Sequence, residues 1–273
     1  MTDQAERYDR IAAGYAQWWA PVLEPRATEL LDRLDGAVDA GARRLIDIGT
    51  GTGTLARAAI RRWPAVEVAG IDVSREMAAA AAGEADRLLT KAERSRFSTR
   101  VAPADSLPFG DGEFDAAMSS FVFQLVPNRF RALREAYRVI RPGGRLAYVT
   151  WLIDDRVFRP DIEFDALLDD IGVGAREPDG RPGDVPTESA AAAQLRRAGF
   201  HRVEVERALL EHRFSVDGYV SFLAEFDEED LISNLPSADR ERLLNGLRRR
   251  LESLPSEAMV LRLPIVYASG IRL

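Results

Sequence analysis

The feature that most constrains this chain is a seven-residue loop, Asp47-Ile48-Gly49-Thr50-Gly51-Thr52-Gly53, set between an apolar run and a helical one. Glycines at alternate positions let the backbone turn sharply and approach a ligand closely. Arg44–Gly49 reads as the strand before it, and Thr54–Arg62 as the helix after it, closed by Trp63-Pro64. The same alternation continues. Val66–Asp72 is a second strand, and Ser74 is placed to cap an alanine-rich helix running to about Leu89, its hydroxyl accepting an amide of the first turn. Phe97–Ala102 and Phe114–Ser119 are the third and fourth strands. Asn128 opens a helix with Phe130, Leu133, Tyr137 and Ile140 at helical spacing. Arg141-Pro142-Gly143-Gly144 stops it, and Arg145–Trp151 is a fifth strand. Strands alternating with helices predict a doubly wound α/β fold around a mostly parallel sheet.

The second half is less regular. Asp154–Pro186 is rich in Gly, Pro and Asp and reads as a loop with a short helix. Thr187–Ala198 is a helix ending at Gly199, Arg202–Leu210 a sixth strand, and Met259–Ala268 a seventh. Between the last two, Tyr219, Phe222, Leu223 and Phe226 mark one helix; Leu243, Leu244, Leu247 and Leu251 mark another, with Ser237 as its expected cap. Ligands in such sheets bind outside the carboxyl ends of the strands, at the switch point. Segments 152–186 and 213–257 leave strands five and six on that side, as substrate-lid inserts or as pieces of the core. The chain is read as one domain over 1–273, with a helical cap in 1–40 and a cofactor-binding core in 41–151.

Composition narrows the chemistry. The chain has 273 residues, no cysteine and two histidines, His201 and His212. Disulfides and thiolate nucleophiles are excluded, and a histidine-rich metal site is disfavoured. The net charge of −7 argues against a nucleic-acid partner; the arginines 242 and 248–250 read as the solvated face of a helix. No run reaches the ~18 apolar residues of a membrane helix, and Met1–Arg10 lacks the apolar core of a signal peptide. The expected location is cytoplasmic.

Three acidic stations follow the strands. Asp47 precedes the glycine loop, and a carboxylate there suits a cationic ligand better than a diphosphate. The loop departs from the G-x-G-x-x-G dinucleotide pattern because Thr54 stands where the third glycine would fall. Asp72 ends the second strand, where a carboxylate can accept both hydroxyls of a ribose. Asp105, in Ala104-Asp105-Ser106-Leu107-Pro108-Phe109, follows the third. Taken singly, each is also an ordinary turn or capping acid.

Together, with Phe114-Asp115 leading the fourth strand and Arg138-Val139-Ile140-Arg141-Pro142-Gly143-Gly144-Arg145-Leu146 turning into the fifth, they resemble the class I S-adenosylmethionine-dependent methyltransferases. The likeness is greatest to the group that includes ubiquinone/menaquinone-biosynthesis and other small-molecule methyltransferases, and it covers about residues 7–151. It implies a Rossmann-like sheet of seven strands with the last antiparallel. It implies S-adenosylmethionine as cofactor, S-adenosylhomocysteine as product and a small-molecule methyl acceptor. On this likeness, Asp47, Gly49, Gly51 and Gly53 surround the methionine part and Asp72 holds the ribose. Val73 and Met77 flank the adenine, Asp105 and Ser106 read its edge, and Ser119 and Ser120 offer backbone groups to the methionine ammonium. Tyr8 and Tyr15 resemble the aromatics of an N-terminal helix that closes over the cofactor. Where many relatives carry histidine after strand four, this chain has Phe123-Gln124-Leu125, and glutamine is no general base.

The implied reaction is in-line displacement at the sulfonium methyl, with the acceptor expected to be apolar or aromatic. Asp154, Asp155 and His212 are the candidate bases on the ligand side, and none is assigned a catalytic role. Two other classes stay open. One is a non-catalytic protein that keeps the fold for binding or regulation. The other is a nicotinamide-dependent oxidoreductase, disfavoured by the missing third glycine.

Overall fold

The computed structural model describes residues 3–153, 155–174 and 183–273. Seven strands form one sheet: β1 Arg44–Ile48, β2 Glu67–Asp72, β3 Phe97–Val101, β4 Phe114–Ser120, β5 Ile140–Trp151, β6 His201–Arg213 and β7 Val260–Ile271. Their order is β3-β2-β1-β4-β5-β7-β6. β1 to β5 pair in parallel, and β7 runs antiparallel to both β5 and β6. The order reverses between β1 and β4, so the switch point lies at their carboxyl ends, beside the glycine loop.

The helices are α1 Asp3–Gly14, α2 Ala20–Glu29, α3 Asp35–Asp39, α4 Thr54–Arg62, α5 Arg75–Leu88, α6 Lys91–Arg94, α7 Arg129–Val139, α8 Arg159–Asp170, α9 Glu188–Ala198, α10 Val216–Phe222, α11 Glu229–Asn234 and α12 Ser237–Glu252. Two π-helical turns, Tyr15–Trp19 and Leu223–Asp227, interrupt the first and the tenth. Apolar side chains fill both faces of the sheet: Leu45 of β1 joins one core, Ile46 and Ile48 the other, as alternation along a strand requires.

Local chemistry sets the helix ends. The Ser74 hydroxyl accepts the Met77 amide at 3.0 Å and starts α5. Asn128 and Thr187 cap α7 and α9 in the same way. α9 stops at Gly199, whose φ of 107° suits glycine.

Four expectations change. α7 buries Ala132, Leu133, Ala136 and Val139 and leaves Phe130 exposed; small side chains let this helix lie close on the sheet, and Ile140 becomes the first residue of β5. Ser237 is the first residue of α12 and not its cap; Pro236 precedes it and no side chain caps the turn. The helix within 152–186 is twelve residues long, with a proline at its start, where a missing amide costs nothing. β6 runs to Arg213 because β7 pairs with it along its whole length.

Candidate active site

A cleft lies over the carboxyl ends of β1, β2 and β4, with about 1120 Å³ of space counted out into open solvent. The glycine loop forms its floor. Gly49, Gly51 and Gly53 all take positive φ, at 72°, 53° and 77°. A Cβ on Gly51 would point into the cavity, meeting only the Tyr15 ring at 3.9 Å. A Cβ on Gly49 would overlap Val122 at 2.3 Å, so this glycine allows the close approach of the segment after β4.

Asp72 ties the loop down. One of its oxygens accepts the Gly51 amide at 2.9 Å and the other the Ser74 amide at 2.9 Å. Each oxygen keeps a lone pair for a further donor. Burial raises its pKa, and the backbone amides oppose that.

Asp47 shares the face of Leu45, two residues earlier on β1, so its side chain turns under the loop. It is 1% exposed, and its carboxylate accepts the Thr50 hydroxyl at 2.8 Å. Burial pushes its pKa up to about 7. It lines a narrow space between the loop and α2, which shares Tyr15, Leu23, Gly49, Gly51 and Ser120 with the main cavity.

Of the residues singled out in the sequence, Tyr8, Tyr15, Gly49, Gly51, Asp72, Val73, Met77, Asp105 and Ser120 line the main cavity. Gly53 sits behind the loop, where its Cβ would press on Ala81. The Ser119 hydroxyl turns into the sheet and donates to the Ile48 carbonyl at 2.8 Å. Ser106 is exposed and not part of the lining. Of the candidate bases, Asp154 lies outside the described residues and Asp155 is exposed. His212 packs on Phe214, with ring centroids 4.5 Å apart, on edge strand β6 and away from the lining residues.

The sequence reading missed the far end. Phe121, directly after β4, has φ of 56°, an outlier for a large side chain that marks stored strain. Its ring lies 4.3 Å from that of Trp151. Trp151 in turn packs on Trp19, and Trp19 on Phe222 and Phe226. Position at a strand's carboxyl end was the available signal: Phe121 directly follows β4, and Trp151 is the last residue of β5. Trp19 carried none beyond an aromatic stripe.

Beyond this aromatic wall lies a second, more open cavity, with about 1780 Å³ of space counted out into open solvent. The two share Tyr8, Trp19, Gln124, Leu125, Val126, Pro127 and Trp151. Gln124 is held at both ends: its amide nitrogen donates to the Phe121 carbonyl at 2.6 Å, and its oxygen accepts from Thr150 at 2.7 Å. Gly183 packs on the Gln124 backbone so tightly that a Cβ would sit 1.7 Å from its carbonyl oxygen. Val185 pairs with Leu152, which pins the end of the first insert to β5.

A parallel sheet with this reversal, an acid after β2 and a glycine loop at the switch point define a Rossmann-like, adenosine-cofactor protein. The family described as Methyltransferase domain matches residues 46–148. Ubiquinone/menaquinone biosynthesis C-methyltransferase UbiE of a Geobacter species is 39% identical over 109 residues, 39% of this chain and 44% of that one. Malonyl-acyl-carrier-protein O-methyltransferase of Geobacter sulfurreducens is 31% identical over 199 residues, 72% of this chain and 70% of that one. The structure of Haemonchus contortus phosphoethanolamine N-methyltransferase 2 with S-adenosyl-L-methionine superposes with a TM-score of 0.60 at 17% identity, covering 100% of this chain and 61% of the other. The chain belongs to the class I S-adenosylmethionine-dependent methyltransferases, and S-adenosylmethionine is its cofactor. It spans about half the length of several curated relatives, 44% and 49% of two. Among the described residues no helix is long and apolar enough to cross a membrane.

Proposed function

We propose that this chain transfers the methyl group of S-adenosylmethionine to a small molecule seated in the outer cavity. The observation that carries this reading is the shared aromatic wall: it closes the cofactor cavity at the end away from Asp105 and opens on a second cavity large enough for an acceptor.

In this reading Asp72 accepts the ribose hydroxyls, Val73 and Met77 flank the adenine and Asp105 lies at its edge. Gly49 and Gly51 give the methionine portion room, Asp47 faces its ammonium from beneath, and Ser120 stands beside it. Gly53 and Ser119 shape the loop and the strand end. When bound, S-adenosylmethionine supplies a methyl group on positively charged sulfur, an electrophile that needs no further activation. Trp19, Phe121 and Trp151 exclude water from that end. Holding the acceptor in line contributes on the order of 7–11 kcal/mol. Among the described residues the shared wall carries no carboxylate, histidine or lysine, and Gln124 cannot take a proton. Asp184 and Asp227, which line the outer cavity, are the carboxylates on the acceptor's side. Tyr8 and Tyr15 close the cavity from α1 and the following π-turn.

Isothermal titration with S-adenosylmethionine and S-adenosylhomocysteine, with NAD(H) as control, tests the cofactor half. Saturable binding of the first two alone supports it; NAD(H) binding overturns it. Transfer of a labelled methyl group to compounds from a small-molecule library tests the catalytic half. Cofactor binding without transfer to any acceptor would favour a binding or regulatory role.

A further inference from the structure

The outer cavity carries a charge pattern opposite to the chain's acidic balance. Arg7, Arg129 and Arg197 line it together with Asp184 and Asp227. Asp184 acts electrostatically on Arg129 and Asp227 on Tyr8, and both have further interactions. Among the described residues none of the three arginines forms an ion pair, whereas Arg10, three residues after Arg7, is bound to Glu229 and Asp230.

Arg129 is the most constrained of the three. It is half-buried at the start of α7. Its Nε donates to the Phe123 carbonyl at 3.0 Å and its Nη1 reaches Gln194 at 3.4 Å. Those contacts hold the plane of the guanidinium and leave Nη2 without an acceptor among the described residues. Burial lowers its pKa, an effect opposed by Tyr148 and Asp184, yet an arginine stays charged in any protein. A fixed, partly desolvated guanidinium with a free donor edge is the usual means of holding a carboxylate or a phosphate. Arg197 lies over the Phe130 ring at 5.5 Å on the rim, and Arg7 on the opposite rim comes from α1. The deeper wall is apolar, formed by Trp19, Trp151 and Phe226.

Resting on the methyltransferase reading, we propose that the acceptor is an organic anion whose apolar or aromatic body lies on Trp19 and Trp151 and whose negative group is held by Arg129. Arg129 is then the residue that selects the acceptor class, and Arg7 and Arg197 draw the anion in.

The test uses protein saturated with S-adenosylhomocysteine and a panel of arylalkyl carboxylates, each paired with its carboxamide and its phosphate monoester. Binding is read by saturation-transfer NMR and ranked by titration. Acids bind at least tenfold more tightly than their amides, and the preference falls as salt is raised. Tighter binding of the phosphates identifies the anion as a phosphate, and tighter binding of the acids identifies it as a carboxylate. Arg129→Gln erases the preference for anions without changing the binding of the amides; Arg129→Lys keeps part of it. The exposed pair Arg7→Gln with Arg197→Gln, which leaves Arg129 in place, slows anion association. Amides binding as well as acids, no anion among the binders, or a preference that survives Arg129→Gln overturns the proposal. Titration of S-adenosylhomocysteine into the same variants reports the cofactor reading separately, because Arg129 does not line the cofactor cavity.

Discussion

Each oxygen of Asp72 already accepts one backbone amide, so the carboxylate shapes the loop and, in the proposed binding mode, faces the ribose at once. Charge-assisted hydrogen bonds contribute about 1.5–3 kcal/mol each. Asp72→Ala removes two to the ligand and loosens the Gly51 turn, and should weaken S-adenosylhomocysteine binding by about 100-fold or more by calorimetry; unchanged affinity would remove Asp72 from the site. Asp47 gives a pH signature. Burial pushes its carboxyl up to about 7, from 3.8 in a free side chain. The folded, ligand-free protein thus holds this proton more tightly than the unfolded chain. That contribution to stability is fully present below about pH 4 and is lost as pH rises through 7. A cationic ammonium beside Asp47 favours its ionised form, so binding expels the proton at acidic pH. Affinity for S-adenosylhomocysteine should fall below pH 7, by up to about tenfold per unit. Asp47→Asn should flatten that dependence, and should stabilise the ligand-free protein at pH 8 by on the order of 1–4 kcal/mol. A wild-type affinity that is flat between pH 5.5 and 8 would place the ammonium elsewhere.

Among the elements, the contact between α1 and the second insert leaves no room for a side chain. A Cβ on Gly14 would lie 1.8 Å from the Glu225 carbonyl oxygen and 3.3 Å from Phe226 Cβ. The two π-turns meet here: Trp18 donates to Glu225 at 2.6 Å, and the Tyr15 and Phe226 rings are 5.7 Å apart. Gly14→Ala must push these backbones apart. It should cost about 1–3 kcal/mol in denaturant unfolding and weaken cofactor binding, because Tyr15 moves with the turn. Gly36→Ala, in α3 with nothing within 4 Å of the new methyl, should leave both unchanged or raise stability slightly. Equal effects from the two variants would mean that the contact is loose in solution. None of this was legible in the sequence, where Gly14 is an unremarked residue inside a helical stretch. The strands and loop of 44–151 were legible because each signal is local: a run of apolar residues, a glycine turn, a capping hydroxyl. Asp72 and Asp105 could be placed because the first ends β2 and the second lies in the short turn that follows β3. The outer cavity could not, because Arg7, Gln124, Arg129, Gly183, Gln194 and Phe226 come from separate stretches that only the folded chain brings together. Arg129 looks in sequence like any first-turn residue, and the long α8 was hidden among the Gly, Pro and Asp residues that suggested a loop.

At the scale of the molecule, α1 is fastened on two sides. Asp9 accepts from the Ser74 hydroxyl and the Glu76 amide at the start of α5, next to Asp72 and Val73 of the cavity lining. Arg10 pairs with Glu229 and Asp230 of the second insert. The helix therefore couples the cofactor floor to the residues, Phe226 and Asp227, that complete the acceptor cavity. Much of this clamp is exposed polar contact, individually worth little, so it opens more readily than the sheet does. A ligand that adds contacts to Tyr8 and Tyr15 stabilises the closed clamp, and with it the outer cavity. S-adenosylhomocysteine should then slow amide hydrogen exchange in residues 6–19 and in 223–234 together. α12, which packs on α8 and α10 instead, should show little change. Protection confined to 6–19 would show the insert to be a fixed scaffold that the cofactor does not reach. The coupling has a second consequence. If closure builds the acceptor cavity, acceptor affinity must rise when the cofactor site is filled, and by linkage the acceptor must tighten cofactor binding by the same factor. Measuring both arms of that cycle with a bound acid from the anion panel would show whether the clamp transmits the effect, since Gly14→Ala should abolish the coupling while Arg129→Gln abolishes only the recognition.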